Sequence, residues 1–451
     1  MTSRYRVDYA LKEHRRDEFI QFIKGLLSTP FVLYAVKPAG TISDVEELMV
    51  DSEAKRRYAE IFHDLETLVD NHIEMTESGT SNLSRLHQLV PSIGTFFTPL
   101  PLEKAFYIED ERRSISKRRL VAPSFNDIRL ILNTAQMLRL ATTFMHGKDR
   151  RRKAKYLSMK RSSSSFSGDN SSGCLQLVTF DGDITLYEDG DNFSTESPLI
   201  PQLTSLLSKG LYIGIVTAAG YADAAKYKER LRGLVEALKV STNLTDNQKE
   251  NLLVVGGEAN YLFRFSSEVG EFRQVDRDEW LLPDMKQWDE ADINECLDFA
   301  GKNLHRLMNK LDLPAQVIRK ERSVGLVPLE GHQLIREQLE EVVLRIDQDL
   351  KRFETAQRIR WCAFNGGADV WVDIGDKAYG VKILQGYLSR SLCHENIGPS
   401  NTLHVGDQFL SLGANDYASR TAATTAWVSS PEETHNLLQD LLNFIDDWAA
   451  Y

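Results

Sequence analysis

What this sequence has little of narrows it first. Its four cysteines, Cys174, Cys296, Cys362 and Cys393, are scattered with no CxxC pair. That argues against a disulfide framework or a cysteine-rich zinc site and fits reduced thiols. No apolar run approaches the roughly 18–20 residues of a membrane span, and the N-terminal stretch has no signal-peptide apolar centre. Basic excess is missing too: the net charge is -11, whereas general nucleic-acid binding rests on cationic surface. A soluble, cytoplasmic protein with no membrane or nucleic-acid partner is therefore expected. The apolar content of 42% and the charged content of 26% are those of an ordinary globular chain. At 451 residues it is long enough for two or three domains with a large core.

The most informative stretch is Cys174–Gly190, CLQLVTFDGDITLYEDG. Leu175, Leu177, Val178 and Phe180 predict a strand buried on both faces, as in a parallel sheet. Asp181 and Asp183 then fall at its carboxyl edge, where open α/β folds bind their ligands. Two carboxylates there are costly to desolvate without a cation, and Mg²⁺ takes such carboxylates together with phosphate oxygens. Alone, Asp-Gly-Asp reads equally well as an acidic turn. With the apolar lead-in and Thr185 the pattern becomes hhhhDxDxT, which resembles the first motif of the haloacid dehalogenase superfamily of phosphatases and mutases.

The later motifs of that superfamily should then follow in order. A second apolar run, Leu211–Val216, ends in Thr217 and small residues, which let backbone N–H groups approach a phosphate. A third piece, DIGDKAYGV, sets Lys377 between a strand and a helix, where it can stabilise charge on a transferring phosphoryl group. A fourth strand, Leu403–Val405, runs into Gly406 and Asp407. The next acid in that loop, Asp416, lies further along than the superfamily's spacing. Three readings stay open for it: a metal contact through water, a contact to another ligand, or a residue that holds the loop. His404 reads as a packed strand histidine, because magnesium prefers oxygen. Trp371 reads as a buried strand residue, with stacking on a base as the alternative.

Around these motifs the chain divides into expected domains: 1–165, a mainly helical regulatory or oligomerisation domain ending in a basic, Ser-rich linker; 174–222 with 359–451, the catalytic core; and 223–358, an inserted α/β cap. Apolar residues recur at helical spacing through Phe19–Leu27, Leu48–Leu68 and Ile128–Leu140, the last opened by a Ser124/Asp127 capping pair. Lys148–Arg161 is densely basic and reads as a solvated linker face or, more sharply, an anion site. In the insertion, Leu252–Gly256 and Tyr261–Phe265 read as strands, Ile293–Leu311 and His332–Phe353 as helices, and Val317–Val327 as strand-like. Arg230, on the helix after Thr217, is placed to reach toward the site, and the basic run Arg319, Lys320 and Arg322, with Ser323 after it, is a candidate for anion contact. A solvated basic strand edge is the alternative for that run.

The residue chemistry then assigns roles. Asp181 is the expected nucleophile, Asp183 the acid and base, and Thr217 and Lys377 the holders of phosphoryl oxygens. Mg²⁺ is expected on Asp181, Asp407 and the backbone carbonyl of Asp183. An Asp at position 183 points to hydrolysis or to transfer to another alcohol.

Beyond the superfamily, SRYRVDYALKEHRRDEFI, TFDGDITLYEDG, FNGGADVWVDIGDKAYGV and VGDQFLSLGANDYASR closely resemble the fungal and protozoan IMP-specific 5'-nucleotidases. The resemblance implies a Rossmann-like core with an α/β cap and a helical N-terminal domain. It also implies magnesium-dependent hydrolysis of inosine 5'-monophosphate, a homotetramer, and activation by ATP through the N-terminal region. Tyr187 and Asp189 join Asp183, Thr217, Arg230, Ser323 and Lys377 as expected substrate contacts. Arg150, Arg152 and Asp416 are set down as regulatory candidates. The competing expectations are a capped sugar-phosphate phosphatase or phosphomutase with the same four motifs, and a nucleotide-sensing scaffold without turnover.

Overall fold

In the computed structural model, residues 17–35, 44–158, 174–392, 396–409 and 414–449 are described. They divide into two units: one of 175–423 with 428–436, the other of 1–174 with 424–427 and 437–451.

The first unit is built on β1 (Leu177–Phe180), a strand with every residue buried. β2 (Tyr212–Thr217) and β3 (Leu252–Gly256) lie parallel to it on one side. β4 (Tyr261–Ser266) and β5 (Glu271–Gln274) continue the sheet antiparallel. A second, four-stranded sheet contains β6 (Ala315–Arg319), β7 (Ser323–Pro328), β8 (Trp361–Asn365) and β9 (Val370–Ile374), in the order β6-β7-β9-β8 and antiparallel throughout. β10 (Thr402–Gly406) returns to the first sheet, parallel to β1 on its other side. Apolar runs such as LVTF, LLVVG and TLHVG have no polar alternation because helices and loops cover both faces of a parallel sheet.

Two expected boundaries are corrected here. β3, β4 and β5, expected in the insertion, extend the first sheet, because β3 hydrogen-bonds in parallel to β2 from Ile213↔Leu252 to Thr217↔Gly256. β8 and β9, expected in the core, pair with β7 in the second sheet. The strand-like Val317–Val327 is a hairpin of β6 and β7, its turn closed by Lys320 N donating to Ser323 O at 2.8 Å. The expected helix after Thr217 is also divided, into Ala224–Arg230 and Arg232–Val240.

The second sheet is apolar on one face only. Val370, Val372 and Ile374 pack with Cys296, Leu297 and Leu304 of the helix Glu290–Lys310 and with Val343 and Ile346 of the helix Arg336–Lys351. Trp371 and Asp373 alternate onto the opposite face, as strand geometry requires.

The other unit is mainly helical, with Glu18–Ala35, Asp44–Glu77, Arg85–Leu89, Leu102–Arg113 and Phe125–Ser158. Ile23, Tyr58, Phe62, Leu65, Phe106, Ile128 and Ile131 form its core, and Phe62 stacks on Phe106 with ring centres 5.2 Å apart. The Ser124/Asp127 cap forms as expected: Ser124 N donates to Asp127 Oδ2 at 2.7 Å and Asp127 N to Ser124 Oγ at 3.1 Å. The side chains of Arg150 and Arg152, the basic run they belong to and the Ser-rich linker lie outside the described side chains. No disulfide joins the described cysteines Cys174, Cys296 and Cys362. No helix among the described residues is long and apolar enough to cross a membrane.

Candidate active site

Parallel register gathers the candidate residues. Phe180 is level with Val405 of β10 and Ile215 of β2, so Asp181, Asp407 and Thr217 leave neighbouring strands at the same edge. Lys377 reaches this edge from the second sheet. β9 ends at Ile374, the chain turns at Gly375 with φ +88°, and Asp376 caps the helix Lys377–Tyr387 by accepting from Tyr379 N at 2.9 Å.

The fully buried Lys377 ammonium lies 2.7 Å from both Asp181 Oδ2 and Asp416 Oδ1. Burial disfavours its charge, but Asp181 and Asp416 outweigh that and hold its pKa above the ordinary value. Asp416 keeps its carboxyl below the usual range: burial opposes this, and Lys377 and His404 overcome it. Its Oδ2 accepts from the backbone N–H groups of Asp407 at 3.1 Å and Gln408 at 2.9 Å. Asp416 thus stands beside Lys377 and Asp181, and it accepts from the backbone of the loop that follows β10.

Asp181, Asp407 and Asp416 offer oxygens that all lie within 4.8 Å of one another. Burial pushes Asp181 up to about 7, with Asp416 adding to the effect and Lys377 opposing it. Burial and the neighbouring Asp181 push Asp407 up to about 9. Asp407 Oδ1 is buried with no hydrogen-bond partner among the described residues. An unpaired buried carboxylate oxygen beside a second carboxylate fits a hard divalent cation, and the donor set is all oxygen.

Asp183 faces Arg230, whose Nη2 donates to its Oδ1 at 2.6 Å; Gly190 N donates to the same oxygen at 3.1 Å. The Arg230 guanidinium also lies 5.1 Å over the ring of Tyr187, which is buried behind it. Thr217 is buried at the end of β2, its hydroxyl accepting from Ala219 N at 3.1 Å.

A cavity of about 290 Å³ opens from these groups. Of the expected residues, Asp181, Asp183, Asp189, Arg230 and Ser323 line it; Lys377, Tyr187 and Thr217 are buried and do not line it. The far wall comes from the second sheet: Lys320, Phe364, Asp369, Trp371 and Asp373. Lys320, although exposed, lines the cavity, with Nζ 3.9 Å from the Trp371 ring centre. Its neighbours in the basic run do not: Arg322 forks onto Glu290 at 2.9 and 2.8 Å. Trp371 lines the cavity, half-buried, where the stronger expectation was burial. Asp373, Phe364 and Asn415 carried no expectation, although the alternation in VWVDI signals a strand with one functional face.

The comparisons with known proteins bear on the whole chain. The model of the IMP-specific 5'-nucleotidase family matches residues 1–438. IMP-specific 5'-nucleotidase 1 of Yarrowia lipolytica is 48% identical over 449 residues, covering 99% of this chain and 98% of that protein. The Saccharomyces cerevisiae protein of the same description is 46% identical, covering 98% of this chain and 99% of its own. An N-terminally truncated, IMP-bound Plasmodium falciparum IMP-nucleotidase superposes with a TM-score of 0.75 at 32% identity, over 95% of this chain and 96% of that one. An ATP-bound structure of the Plasmodium falciparum IMP-nucleotidase gives 0.72 at 32% identity, over 96% and 86%. A parallel sheet with Asp181 at its carboxyl edge, a second α/β layer and a helical N-terminal unit make up the expected haloacid dehalogenase-like architecture. On this evidence the chain is a phosphoric monoester hydrolase and belongs to the IMP-specific 5'-nucleotidase family.

Proposed function

We propose that this protein hydrolyses inosine 5'-monophosphate to inosine and phosphate through a phosphorylated Asp181. The observation that carries the reading is the Asp181 carboxylate, clamped by Lys377 at 2.7 Å while it faces the same cavity as Asp183. Asp181 attacks phosphorus, an O–P bond forms, and the 5'-oxygen leaves. Asp183 gives that oxygen its proton. Because Oδ1 of Asp183 is engaged by Arg230 and Gly190, Oδ2 is the oxygen that carries it. Asp183 then takes a proton from the water that attacks the aspartyl-phosphate, releasing phosphate and restoring Asp181. Lys377 and Thr217 hold phosphoryl oxygens as negative charge shifts among them. Asp181, Asp407 and the Asp183 carbonyl would hold Mg²⁺, which when bound would supply charge neutralisation between nucleophile and phosphate.

Arg230, Tyr187, Asp189 and Ser323 are read as substrate contacts, with Asp189 suited to ribose hydroxyls. We read the second sheet with its two helices as a cap that keeps water from the reacting atoms. A cytoplasmic homotetramer activated by ATP through the N-terminal unit completes the proposal, and the ATP-bound relative supports the nucleotide part of it.

The test is phosphate release from a panel of nucleoside monophosphates and sugar phosphates, with Mg²⁺, with and without ATP, and with Asp181→Asn as the blank. Release from IMP alone, raised by ATP, is expected. Release from sugar phosphates only would overturn the substrate and keep the chemistry.

A further inference from the structure

His404 and Thr179 lie opposite each other on β10 and β1, both fully buried and outside the cavity. Their contacts nevertheless lead into the site. Thr179 Oγ1 is 2.9 Å from His404 Nδ1, and His404 Nε2 is 3.1 Å from Asp416 Oδ1. That same Oδ1 receives Lys377 Nζ at 2.7 Å, while Oδ2 receives the backbone N–H groups of Asp407 and Gln408.

Four donors engage the Asp416 carboxylate, two on each oxygen. Its contribution therefore passes through what it holds. On one side that is Lys377, the clamp on Asp181; on the other it is the backbone of Asp407, with its unpaired Oδ1.

A carboxylate only accepts, so His404 Nε2 must carry a proton. Burial favours the neutral ring, and a neutral ring protonated at Nε2 has a bare Nδ1 that must accept. The donor available is the Thr179 hydroxyl. It also lies 3.2 Å from Leu403 O, but it has one proton to give, and the shorter contact is to the ring. Without that hydroxyl the buried Nδ1 is left with no donor, and the ring loses the contact that fixes its orientation toward Asp416.

We propose that Thr179 and His404 are positioning residues of the hydrolysis: Thr179 holds the His404 ring through its bare Nδ1, His404 anchors Asp416, and Asp416 fixes Lys377 and the backbone of Asp407. The relay rests on the assignment of Asp181 as nucleophile and Asp407 as metal ligand. Partners one layer behind metal ligands commonly change affinity or turnover by about 10–100-fold when removed.

The test uses the full chain with Thr179→Val and Thr179→Ser, each measured for kcat, KM for IMP, thermal midpoint, and calorimetric binding of magnesium chloride alone. Valine keeps the shape and removes the hydroxyl; serine keeps the hydroxyl. Thr179→Val is expected to lose about tenfold or more in kcat and in Mg²⁺ affinity, with KM within about twofold, and Thr179→Ser to stay within about twofold throughout. A Thr179→Val protein within twofold of the parent in kcat and Mg²⁺ affinity overturns the relay. So does a serine variant that falls as far as the valine one, which would make the position one of packing alone. His404→Gln and His404→Phe form a second pair should valine prevent folding: the amide can donate to Asp416, and equal loss in the two overturns the anchor. If the parent does not hydrolyse IMP, the substrate reading fails, and the Mg²⁺ titrations still decide the relay.

Discussion

A carboxyl group that is buried and keeps one oxygen unpaired, as Asp373 does, takes stability from the fold as pH rises. Burial pushes its pKa from 3.8 up to about 8, against the opposing pull of Lys320. The stability this group contributes is full below the unfolded value and is lost progressively as pH climbs through the folded one. Asp373→Asn does not titrate. In metal-free melts its thermal midpoint should match the parent near pH 4 and exceed it by about 2 °C or more near pH 8, the shift that ~1 kcal/mol produces in a domain of this size. A constant difference across that range would remove the titration from the account. Asp183→Asn probes chemistry instead. It keeps the shape but cannot exchange a proton, so steady-state kinetics should show a kcat loss of at least about a hundredfold.

Asp181, Thr217, Lys377 and Asp407 were readable as positions because each stands where a buried run stops and a polar residue follows. Asp416 was not. Its place depends on which donors surround it in space, and spacing along the chain carries no information about that. Asp373 and Trp371 had a signal in their alternation with valines, but a tryptophan between apolar residues looks the same whether it faces a core or a cavity.

Among the elements, the helix Lys377–Tyr387 places its first residue in the site, so its cap is also a site residue at one remove. Asp376 accepts from Tyr379 N and pairs with Arg360 Nε at 2.5 Å. Asp376→Ala should cost roughly 1 kcal/mol in denaturant melts and lower kcat as Lys377 loosens. The second sheet depends on Gly325 in a similar way. A Cβ there would come within 2.5 Å of the Trp371 ring, a rigid neighbour. Gly325→Ala should therefore destabilise by about 1–3 kcal/mol and raise KM for substrate, because Trp371 must move on the cavity wall.

Strands were easier to find than to assign. β3 is an uninterrupted apolar run that would look identical in either sheet, and only its ladder to β2 decides the matter. The β6–β7 hairpin escaped because its turn, Lys320-Glu321-Arg322, holds no glycine, proline or asparagine.

At the scale of the whole molecule, a chain of net charge -11 concentrates three carboxylates around Lys377. A bound divalent cation stabilises the folded state by mass action, about 2.7 kcal/mol at a hundredfold excess over its dissociation constant. Mg²⁺ should therefore raise the thermal midpoint of the parent relative to EDTA. Asp407→Asn should lose most of that increment while gaining some stability in EDTA near neutral pH, since folding no longer requires that carboxyl to take up a proton.

The helical unit draws on both ends of the chain. Arg112 forks onto Asp440 at 2.7 and 2.8 Å, and Arg129 Nη1 and Asn133 Nδ2 donate to Trp427 O at 2.5 and 2.7 Å. During synthesis, the helices that leave the ribosome first must wait for partners made last, through translation of nearly the entire unit that holds the two sheets. Until then they carry an unfinished apolar surface, making early helices a natural client of chaperones. Nascent chains halted before Trp427 should accordingly leave those helices open to protease, long after their own residues have emerged.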